Sequence, residues 1–375
     1  MDKMISSCLA VSLFATINVR ADQDDGFPER STGAVYTMDN ASGGNHVWAF
    51  RRNHDGALSS PTSYATDGKG NGGSLGSQGA VALSRDGHWL FVCNPGSDEI
   101  SLFGVTPDGL VLTDKASSSG QLPISLTVHG NLLYVLNAGG AGGGVDNIAG
   151  FVFSEGRLRH LPGAAYSLSA SNTTPAEVAF THDGEHLVVT EKGTAIIDTY
   201  SVDNEGYVDG HKTFTSPAPP PYGFAAGRYD RIFVTQAAGG AGNTGASSVS
   251  SYAVSAAGTL EVISGSVATH QTAACWMAIS PDQRFAYSAN TPNESISSFR
   301  VGYDGKLTLL EAQAATTGAN GPADMSFSAD GRFLYSIEPG NGAIGAFAVN
   351  QGSGALTPLT AAENLPTSVN GLAAW

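Results

Sequence analysis

A short sequence pattern recurs along this chain at intervals of about 45–55 residues, and it restricts the possible folds more than any other feature. The clearest copy, PAEVAFTHDGEHLVVTEKGTAIIDTYSV (175–202), contains three short strands rich in β-branched residues, with a tight turn at Asp183-Gly184 between the first two. Related segments begin at Ala80, Pro123, Pro221, Ala274 and Pro322. A sheet this small buries both faces only when neighbouring sheets stack on it, so the repeats predict a β-propeller.

The second strands of the repeats indicate the number of blades. Six of them end near Asn94, Asn137, Glu191, Gln236, Asn290 and Glu338. The first blade begins at what is the second strand elsewhere, in GAVYTMDN (33–40), and PTSVNGLAAW (366–375) has the form of a first strand with nothing after it. Pairing these two segments removes two exposed sheet edges. The sequence therefore predicts an all-β, seven-bladed β-propeller over residues 32–375, closed by the C-terminal strand.

The composition agrees with this fold and limits the partners. Only 14% of the residues are charged and 48 are glycine, as suits short strands and tight turns. Lys and Arg number 18 against 33 Asp and Glu, a formal net charge of -15, and no basic cluster interrupts this excess. Nucleic acids and anionic membranes are therefore not expected as partners. A monomer is the default expectation.

The N-terminal segment has the form of a secretory signal. Lys3 precedes an apolar run, and the residues up to Ala21 fit the small-residue rule for a cleavage site. Residues 1–21 are thus predicted to be a signal peptide and residues 22–31 a disordered leader, and the mature protein is expected to be secreted. Elsewhere no run has the roughly 20 apolar residues that span a bilayer. N-glycosylation patterns at Asn40, Asn172 and Asn293 agree with export.

The cysteines are predicted to stay unpaired. Cys8 lies in the predicted signal, and Cys93 and Cys275 fall inside strands of blades that are not neighbours in the ring. Because a disulfide needs Cα atoms within about 7 Å, two buried free thiols are expected. Their spacing matches no zinc motif.

Polar residues collect on one face of the predicted ring, where the loops entering the innermost strands and leaving the second strands open around the central channel. The leaving positions hold Asp39, Asn94, Asn137, Glu191, Gln236, Asn290 and Glu338, and the entering positions hold Ala80, Ser125, Glu177, Gly223, Trp276 and Asp324. Carboxyl groups crowded at a partly desolvated channel mouth raise one another's pKa, as a general acid or base requires. The alternative is that these side chains hydrogen-bond loop backbone.

Other features of this face leave alternatives open. Glu191 alone is followed by a cation, Lys192. Trp276 and Tyr222 are candidates either for stacking on a sugar or aromatic ring or for filling the channel. No cofactor is predicted, although the oxygen-bearing side chains also suit Ca²⁺. Three Gly-rich insertions, at 62–79, 138–147 and 237–247, are either surface loops or lids.

The repeats, with DGRFLY and G-x-L endings, resemble the seven-bladed β-propeller lactonase family, which includes propeller 6-phosphogluconolactonases and 3-carboxy-cis,cis-muconate lactonizing enzymes. The resemblance covers nearly the whole chain after the leader. The segments VTEKGT, PYGFAA, ACWMAISPD and NGLAAW are similar to a divergent secreted branch of that family. The resemblance implies a small-molecule substrate at the channel mouth and matches the family's catalytic glutamate with Glu191.

The blade entrances depart from the family pattern. Where characterised members carry His and Arg, this chain reads Pro123-Ile124-Ser125, Pro175-Ala176-Glu177 and Pro322-Ala323-Asp324, and Asn290 is followed by Thr291 in place of Arg. Acidic side chains in these places repel phosphate and carboxylate groups. A neutral or cationic substrate is therefore expected.

Two kinds of function follow from these residues. The first is a lactone hydrolase, or a related lactonizing enzyme, with Glu191 as general base, Glu177 or Asp324 as acid or orienting partner and Lys192 stabilising charge. Its expected substrate contacts are Trp276, Tyr222, Asn94, Asn137, Gln236, Asn290 and Glu338. The second is a non-catalytic propeller that binds a glycan or a protein on the same face. A small pocket with carboxyl pKa values pushed apart would favour the enzyme.

Overall fold

Each repeat of the sequence folds into one four-stranded antiparallel sheet, and seven such sheets form a ring. The computed structural model describes residues 33–239, 243–318 and 321–375, and the predicted signal peptide and leader lie outside the described residues. Sheet order within each blade follows the chain from the innermost to the outermost strand, except in the first blade. The predicted all-β, seven-bladed fold is confirmed.

The strands are numbered in chain order, and the blades are numbered in the order of their second strands. Blade 1 contains β1 (Gly33–Met38), β2 (His46–Arg52), β3 (Thr62–Ala65) and the last strand, β28 (Asn370–Ala374). Blade 2 contains β4 (Val81–Leu83), β5 (Trp89–Asn94), β6 (Glu99–Thr106) and β7 (Gly109–Ser117). Blade 3 contains β8 (Pro123–His129), β9 (Leu132–Ala138), β10 (Asp146–Ser154) and β11 (Arg157–Ser167). Blade 4 contains β12 (Pro175–Phe180), β13 (His186–Glu191), β14 (Ile196–Val202) and β15 (Val208–Thr215).

The remaining blades repeat this order. Blade 5 contains β16 (Pro221–Gly227), β17 (Arg231–Gln236), β18 (Ser248–Val254) and β19 (Leu260–Ala268). Blade 6 contains β20 (Ala274–Ile279), β21 (Phe285–Asn290), β22 (Ser295–Val301) and β23 (Leu307–Thr316). Blade 7 contains β24 (Met325–Phe327), β25 (Phe333–Glu338), β26 (Ala343–Val349) and β27 (Leu356–Pro358). Two short 3₁₀ helices, Gly139–Gly142 and Thr291–Asn293, follow the second strands of blades 3 and 6.

The ring closes through the C-terminal strand, as predicted. Strand β28 pairs with β1, with Tyr36 opposite Ala373 and Thr37 opposite Leu372. The innermost strands contact one another in the order β28, β4, β8, β12, β16, β20 and β24, and β24 contacts β28 again. Every blade therefore has a neighbour on each side, and no inner sheet edge is left exposed.

Buried side chains between the blades hold the ring together. The tyrosines at the third position of several second strands are fully buried and donate a hydrogen bond to a turn glycine of the next blade. Tyr134 donates to the Gly206 carbonyl at 2.6 Å, Tyr287 to that of Gly354 at 2.8 Å and Tyr335 to that of Gly56 at 2.8 Å. The aromatic residue of the DGRFLY-type pattern thus joins adjacent blades as well as filling the core.

The structure also tests two smaller predictions. Cys93 and Cys275 are both buried and free, as expected. The Asn40 glycosylation pattern is contradicted, because its side chain is fully buried and donates hydrogen bonds to Asn71 and Gly73. Within the described part of the chain, no helix is long and apolar enough to cross a bilayer.

Candidate functional site

The channel mouth of this propeller is filled by the chain itself. Residues 74–79, called here the plug segment, end the long connection between blades 1 and 2 and run across the innermost strands. Gln78 lies at the centre and is 8% exposed. Its side-chain amide donates to the Phe224 and Met277 carbonyls at 3.0 and 2.9 Å and accepts from the Met277 N–H at 2.9 Å. One glutamine thus satisfies backbone groups of blades 5 and 6.

The other contacts of the plug segment reach the remaining blades. On one side, Leu75 N donates to Asn370 Oδ1 of blade 1 at 3.0 Å and Gly79 N donates to Asp324 Oδ2 of blade 7 at 2.9 Å. On the other, Ser77 Oγ donates to the Ile124 carbonyl of blade 3 at 2.8 Å and Gln78 N donates to the Ala176 carbonyl of blade 4 at 3.1 Å. The insertion at 62–79, for which the sequence left a surface loop or a lid open, is a fixed part of the mouth.

Lys192, Tyr222 and Trp276 hold the plug segment in place. The Lys192 ammonium donates to the Gly76 carbonyl and lies 4.5 Å from the centroid of the Tyr222 ring. Trp276 packs against Tyr222, with ring centroids 5.5 Å apart, and its indole N–H donates to the Ser77 carbonyl at 3.0 Å. Burial lowers the pKa of Lys192 to about 8. Of the two alternatives for the aromatic pair, the structure therefore shows channel filling.

A cavity of about 330 Å³ lies beside the plug segment, where blades 6, 7 and 1 meet, and is called here the Asp324 pocket. It is lined by Ser74, Ser77, Trp276, Thr291, Ala323, Asp324, Ile337, Pro339, Gly340, Thr367, Val369, Asn370 and Gly371. Asp324 is the only ionisable residue among these, and it is 3% exposed. The pocket therefore combines a single carboxyl group with an otherwise neutral wall.

Burial raises the pKa of Asp324 to about 7, although the backbone N–H groups of Gly79, Met325 and Leu372 oppose the shift. Burial also raises the pKa of Glu177 well above its usual value, and the charge of Asp324 raises it further, while a 2.5 Å hydrogen bond from Phe224 N lowers it. Near neutral pH Asp324 therefore exchanges its proton. This is the pKa range that a general base or acid needs.

Glu191 lies apart from these two carboxyl groups. Glu177 pairs with Thr190 in the sheet, and successive residues of a strand point to opposite faces. Glu177 and Thr190 accordingly contact blade 5, at Phe224 N and at the Tyr222 carbonyl. Glu191 points the other way and accepts hydrogen bonds from Ser169 N at 3.0 Å, from Ser169 Oγ and from Thr194 Oγ1. The expected clustering of Glu191 with Glu177 is wrong for this reason.

Glu191 instead belongs to a buried polar cluster within blade 4. Its carboxyl group and burial together raise the pKa of Asp198 to about 6, with burial the larger cause. His211 Nε2 lies 3.2 Å from Asp198 Oδ1, and the His211 ring stacks on Tyr200 with centroids 4.4 Å apart. Glu191 is fully buried, and none of the described cavities has it in its lining.

The other leaving positions make equivalent structural contacts. Three of their amides bind the third strand of their own blade: Asn94 with Ser101 at 2.8 Å, Gln236 with Ser250 at 2.7 Å and Asn290 with Ser297 at 2.9 Å. The other two bind the loop that precedes their blade: Asn137 with Ser118 at 3.2 Å and Glu338 with Gly318 at 3.0 Å. Asn137 and Asn290 each keep one buried side-chain oxygen without a partner among the described residues. Glu338 lines a separate cavity between blades 6 and 7.

No three His, Cys, Asp or Glu side chains come together as metal ligands in the part of the chain that the structure describes. The amide oxygens considered for Ca²⁺ lie in different interblade regions, where Asn94 and Gln236 accept hydrogen bonds from Thr66 and Ser248. The described side chains therefore do not form a built calcium site, and the expectation of no cofactor stays a prediction.

The comparisons with known proteins agree with this architecture. The model of the seven-bladed β-propeller lactonase family matches residues 31–141 and 245–370, well over half of the chain. The protein belongs to that family. The matched segments contain Trp276 and Asp324, whereas Glu177, Glu191 and Lys192 lie in the unmatched stretch between them. A comparison with curated proteins found no significant match.

Solved structures show the same fold at low sequence identity. The periplasmic gluconolactonase of Pseudomonas aeruginosa is 18% identical with a TM-score of 0.67, over 90% of this chain and 98% of that one. A 6-phosphogluconolactonase candidate from Bacteroides fragilis is also 18% identical with a TM-score of 0.69, over 93% and 99%. A hypothetical selenium-binding protein from Sulfolobus tokodaii is 11% identical with a TM-score of 0.65, over 92% and 94%. These likenesses concern the fold, which hosts different functions.

Proposed function

We propose that this protein hydrolyses a small neutral lactone, or a related cyclic ester, in the Asp324 pocket. The observation that carries the proposal is a carboxyl group with a pKa of about 7 in the wall of a cavity of about 330 Å³. Membership of the lactonase family supports the reaction class. The mouth is not an open aromatic face, because Trp276 is only 8% exposed and holds the plug segment, and this argues against a glycan or protein binder here.

In the proposed reaction, the ionised Asp324 carboxylate accepts a proton from a water molecule as the water oxygen attacks the lactone carbonyl carbon. The ester C–O bond then breaks, and Asp324 returns the proton to the departing alkoxide oxygen, which gives the open hydroxy acid. Trp276 forms an apolar wall of the pocket, and Asn370 holds the plug segment beside it. Glu177, buried and bound to Phe224 N, is proposed not to react.

The pocket also supports a neutral substrate. Its lining contains no Lys, Arg or His, so a phosphate or carboxylate on the substrate would meet the Asp324 charge without a compensating cation. The lactone of gluconic acid is a suitable first probe, because the Pseudomonas aeruginosa neighbour is named a gluconolactonase. A phosphorylated lactone should be a poor substrate. Lactonization, the reverse of the same bond change, is the alternative activity of this pocket.

The experiment compares hydrolysis of glucono-δ-lactone, γ-butyrolactone and 6-phosphogluconolactone by the purified protein, with the uncatalysed rate subtracted. Asp324→Asn should lose at least about 100-fold in kcat, as expected when a general base is removed. Glu191→Gln and the surface control Asp86→Asn should stay within about threefold of the parent wherever they fold. A chelator should have no effect. Absence of turnover of every lactone, or full activity of Asp324→Asn, would contradict the proposal.

We further propose that the mature protein is secreted, on the form of residues 1–21 and on the exposed positions of Asn172 and Asn293. Expression in a secreting eukaryotic host, followed by mass spectrometry of the medium, tests this. The expected product begins after Ala21 and carries glycans at Asn172 or Asn293. Retention of residues 1–21 on a cytosolic product would contradict it.

A further inference from the structure

Two exposed tyrosines meet at the opposite end of the propeller from the Asp324 pocket. Tyr303 is 89% exposed and Tyr229 is 66% exposed, the highest values among the large apolar and aromatic side chains of the described residues. They come from different blades, since Tyr229 lies in the turn between β16 and β17 and Tyr303 in the turn between β22 and β23. Their ring centroids are 6.3 Å apart and the rings are inclined at 59°. The residues that surround the two rings, described next, argue against a chance contact.

Arg231 holds the two rings in place. Its guanidinium donates to the Tyr303 carbonyl at 2.6 Å and lies 5.5 Å from the centroid of the Tyr229 ring. One side chain thus bridges the turns of blades 5 and 6. Neither tyrosine hydroxyl hydrogen-bonds to another described residue, so both are available to a ligand.

The backbone at Tyr229 is unfavourable for a tyrosine. Tyr229 and Asp230 have φ values of +59° and +51°, in the left-handed region that bulky residues avoid. The same turn carries a positive-φ glycine in four other blades, at Gly87, Gly130, Gly184 and Gly331, and a positive-φ glutamine, Gln283, in blade 6. Tyr229 therefore has an unfavourable backbone conformation without adding to the core, and such residues often have a function.

The turn of Tyr303 also differs in its side chain from the equivalent turns of other blades. The turns between third and fourth strands of blades 1, 4 and 5 hold His54, Asn204 and Ala256 at the corresponding position. Among these four blades only blade 6 presents a tyrosine there. Compared across the repeats, tyrosine occurs at these two turn positions only in blades 5 and 6, whose turns are adjacent.

We propose that Tyr229, Tyr303 and Arg231 form a binding site for a neutral carbohydrate chain, separate from the Asp324 pocket. A pyranose ring has an apolar C–H face that stacks on an aromatic ring and hydroxyl groups that exchange hydrogen bonds with tyrosine hydroxyls and a guanidinium. The two turns carry three cations (Arg228, Arg231 and Lys306) and two anions (Asp230 and Asp304), and Lys306 pairs with Asp304 at 3.2 Å. Because these charges nearly cancel, no strongly charged ligand is selected, and the inclined rings suit two consecutive sugars.

The test uses the full mature protein and a panel of neutral oligosaccharides, namely cello-, manno-, xylo- and chitohexaose, in saturation-transfer NMR and affinity electrophoresis. At least one should bind the parent. Tyr303→Ala, which removes an exposed ring, should weaken that binding at least about fivefold. Tyr229→Gly should weaken it similarly while folding at least as stably, because glycine prefers the observed φ. Val111→Ala, an exposed apolar residue of blade 2, is the matched control and should bind as the parent does.

Other outcomes overturn the site. If none of the four sugars binds, or if Tyr303→Ala and Tyr229→Gly bind them as the parent does, the assignment is wrong. It is also wrong if the same tyrosines are needed only for capture of a protein. Lactone hydrolysis by Tyr303→Ala should equal that of the parent, so failure here and failure of the hydrolase proposal are distinguishable.

Discussion

Three buried carboxyl groups near the channel mouth differ in what surrounds them, and these differences decide their chemistry. Asp324 lines a cavity and is opposed by three backbone N–H groups, so the pKa of its carboxyl group settles at about 7. Glu177 is outside the lining of this cavity, and burial raises its pKa well above the usual value. Glu191 accepts three hydrogen bonds on the opposite face of its strand. Only Asp324 combines access with a proton that exchanges near neutral pH.

The raised pKa of Asp324 has a consequence for stability. A carboxyl group whose folded-state pKa is about 7, against an ordinary 3.8, disfavours the folded state wherever the unfolded chain is ionised. The free energy of unfolding should therefore fall as the pH rises from about 4 to about 7 and then level off. Asp324→Asn lacks this penalty and keeps an acceptor for Gly79 N.

We expect Asp324→Asn to raise the free energy of unfolding by about 2–4 kcal/mol at pH 8 and to change it little at pH 4. Urea unfolding at pH 4, 6 and 8 measures this. Asp86→Asn is the control with the opposite sign, because hydrogen bonds from Ser84 and His88 lower the pKa of Asp86. If Asp324→Asn lowered the free energy of unfolding at every pH, the Asp324 carboxylate would stabilise the fold as a hydrogen-bond acceptor, which contradicts this prediction.

At the level of elements, the plug segment turns an open propeller channel into a mouth with a small side pocket. Among the hydrogen bonds that hold it, the Gln78 side chain makes three with backbone groups of blades 5 and 6. Removing that side chain leaves two carbonyls and one N–H unsatisfied inside the molecule.

Gln78→Ala should therefore lower the free energy of unfolding by about 2–3 kcal/mol and make the connection 66–79 more susceptible to proteolysis. Chemical unfolding and limited proteolysis with mass mapping are the measurements. Gln351→Ala, which removes an exposed glutamine with one hydrogen bond, should change stability by less than about 0.5 kcal/mol. Equal effects of the two variants would mean that Gln78 does not anchor the plug segment.

The strands could be predicted from the sequence because their signals are local. Turns such as Asp183-Gly184, and a buried aromatic residue in the second strand, recur in nearly every blade. The unpaired first strand at the C-terminus could pair only with the first blade, which lacked one. The face of the sheet to which the Glu191 side chain points was harder to infer, because a shift of one residue along a strand moves a side chain to the opposite face. The path of the plug segment was beyond prediction, since its Gly- and Ser-rich residues carry no periodicity and its anchors lie about 150–200 positions away in the chain.

For the whole molecule, closure of the ring is the main contribution of the C-terminal strand. Without β28, blade 1 has three strands, β1 exposes an edge, and β4 and β24 each lose a neighbour. The Asp324 pocket also loses part of its wall, because Val369, Asn370 and Gly371 line it. Ring closure and site formation are thus coupled in this propeller.

A truncated chain that ends at residue 365 should accordingly aggregate or unfold at a much lower temperature than the parent, without a single cooperative transition. Differential scanning calorimetry and size-exclusion chromatography measure this. Trp375→Ala, which keeps the strand and removes a ring that is 40% exposed, is the control and should lose at most a few degrees. A soluble truncated chain with the melting temperature of the parent would exclude the role in closure.

The most direct measurement is the pH dependence of kcat/KM for hydrolysis of glucono-δ-lactone by the parent and by Asp324→Asn, each corrected for spontaneous hydrolysis. Because a general base must be ionised, we expect kcat/KM of the parent to rise through a midpoint near pH 7, and we expect this limb to be absent in Asp324→Asn, with activity at least about 100-fold lower. A parent without lactonase activity, or a variant that keeps both the activity and the limb, would contradict the assignment of the Asp324 pocket as the catalytic site.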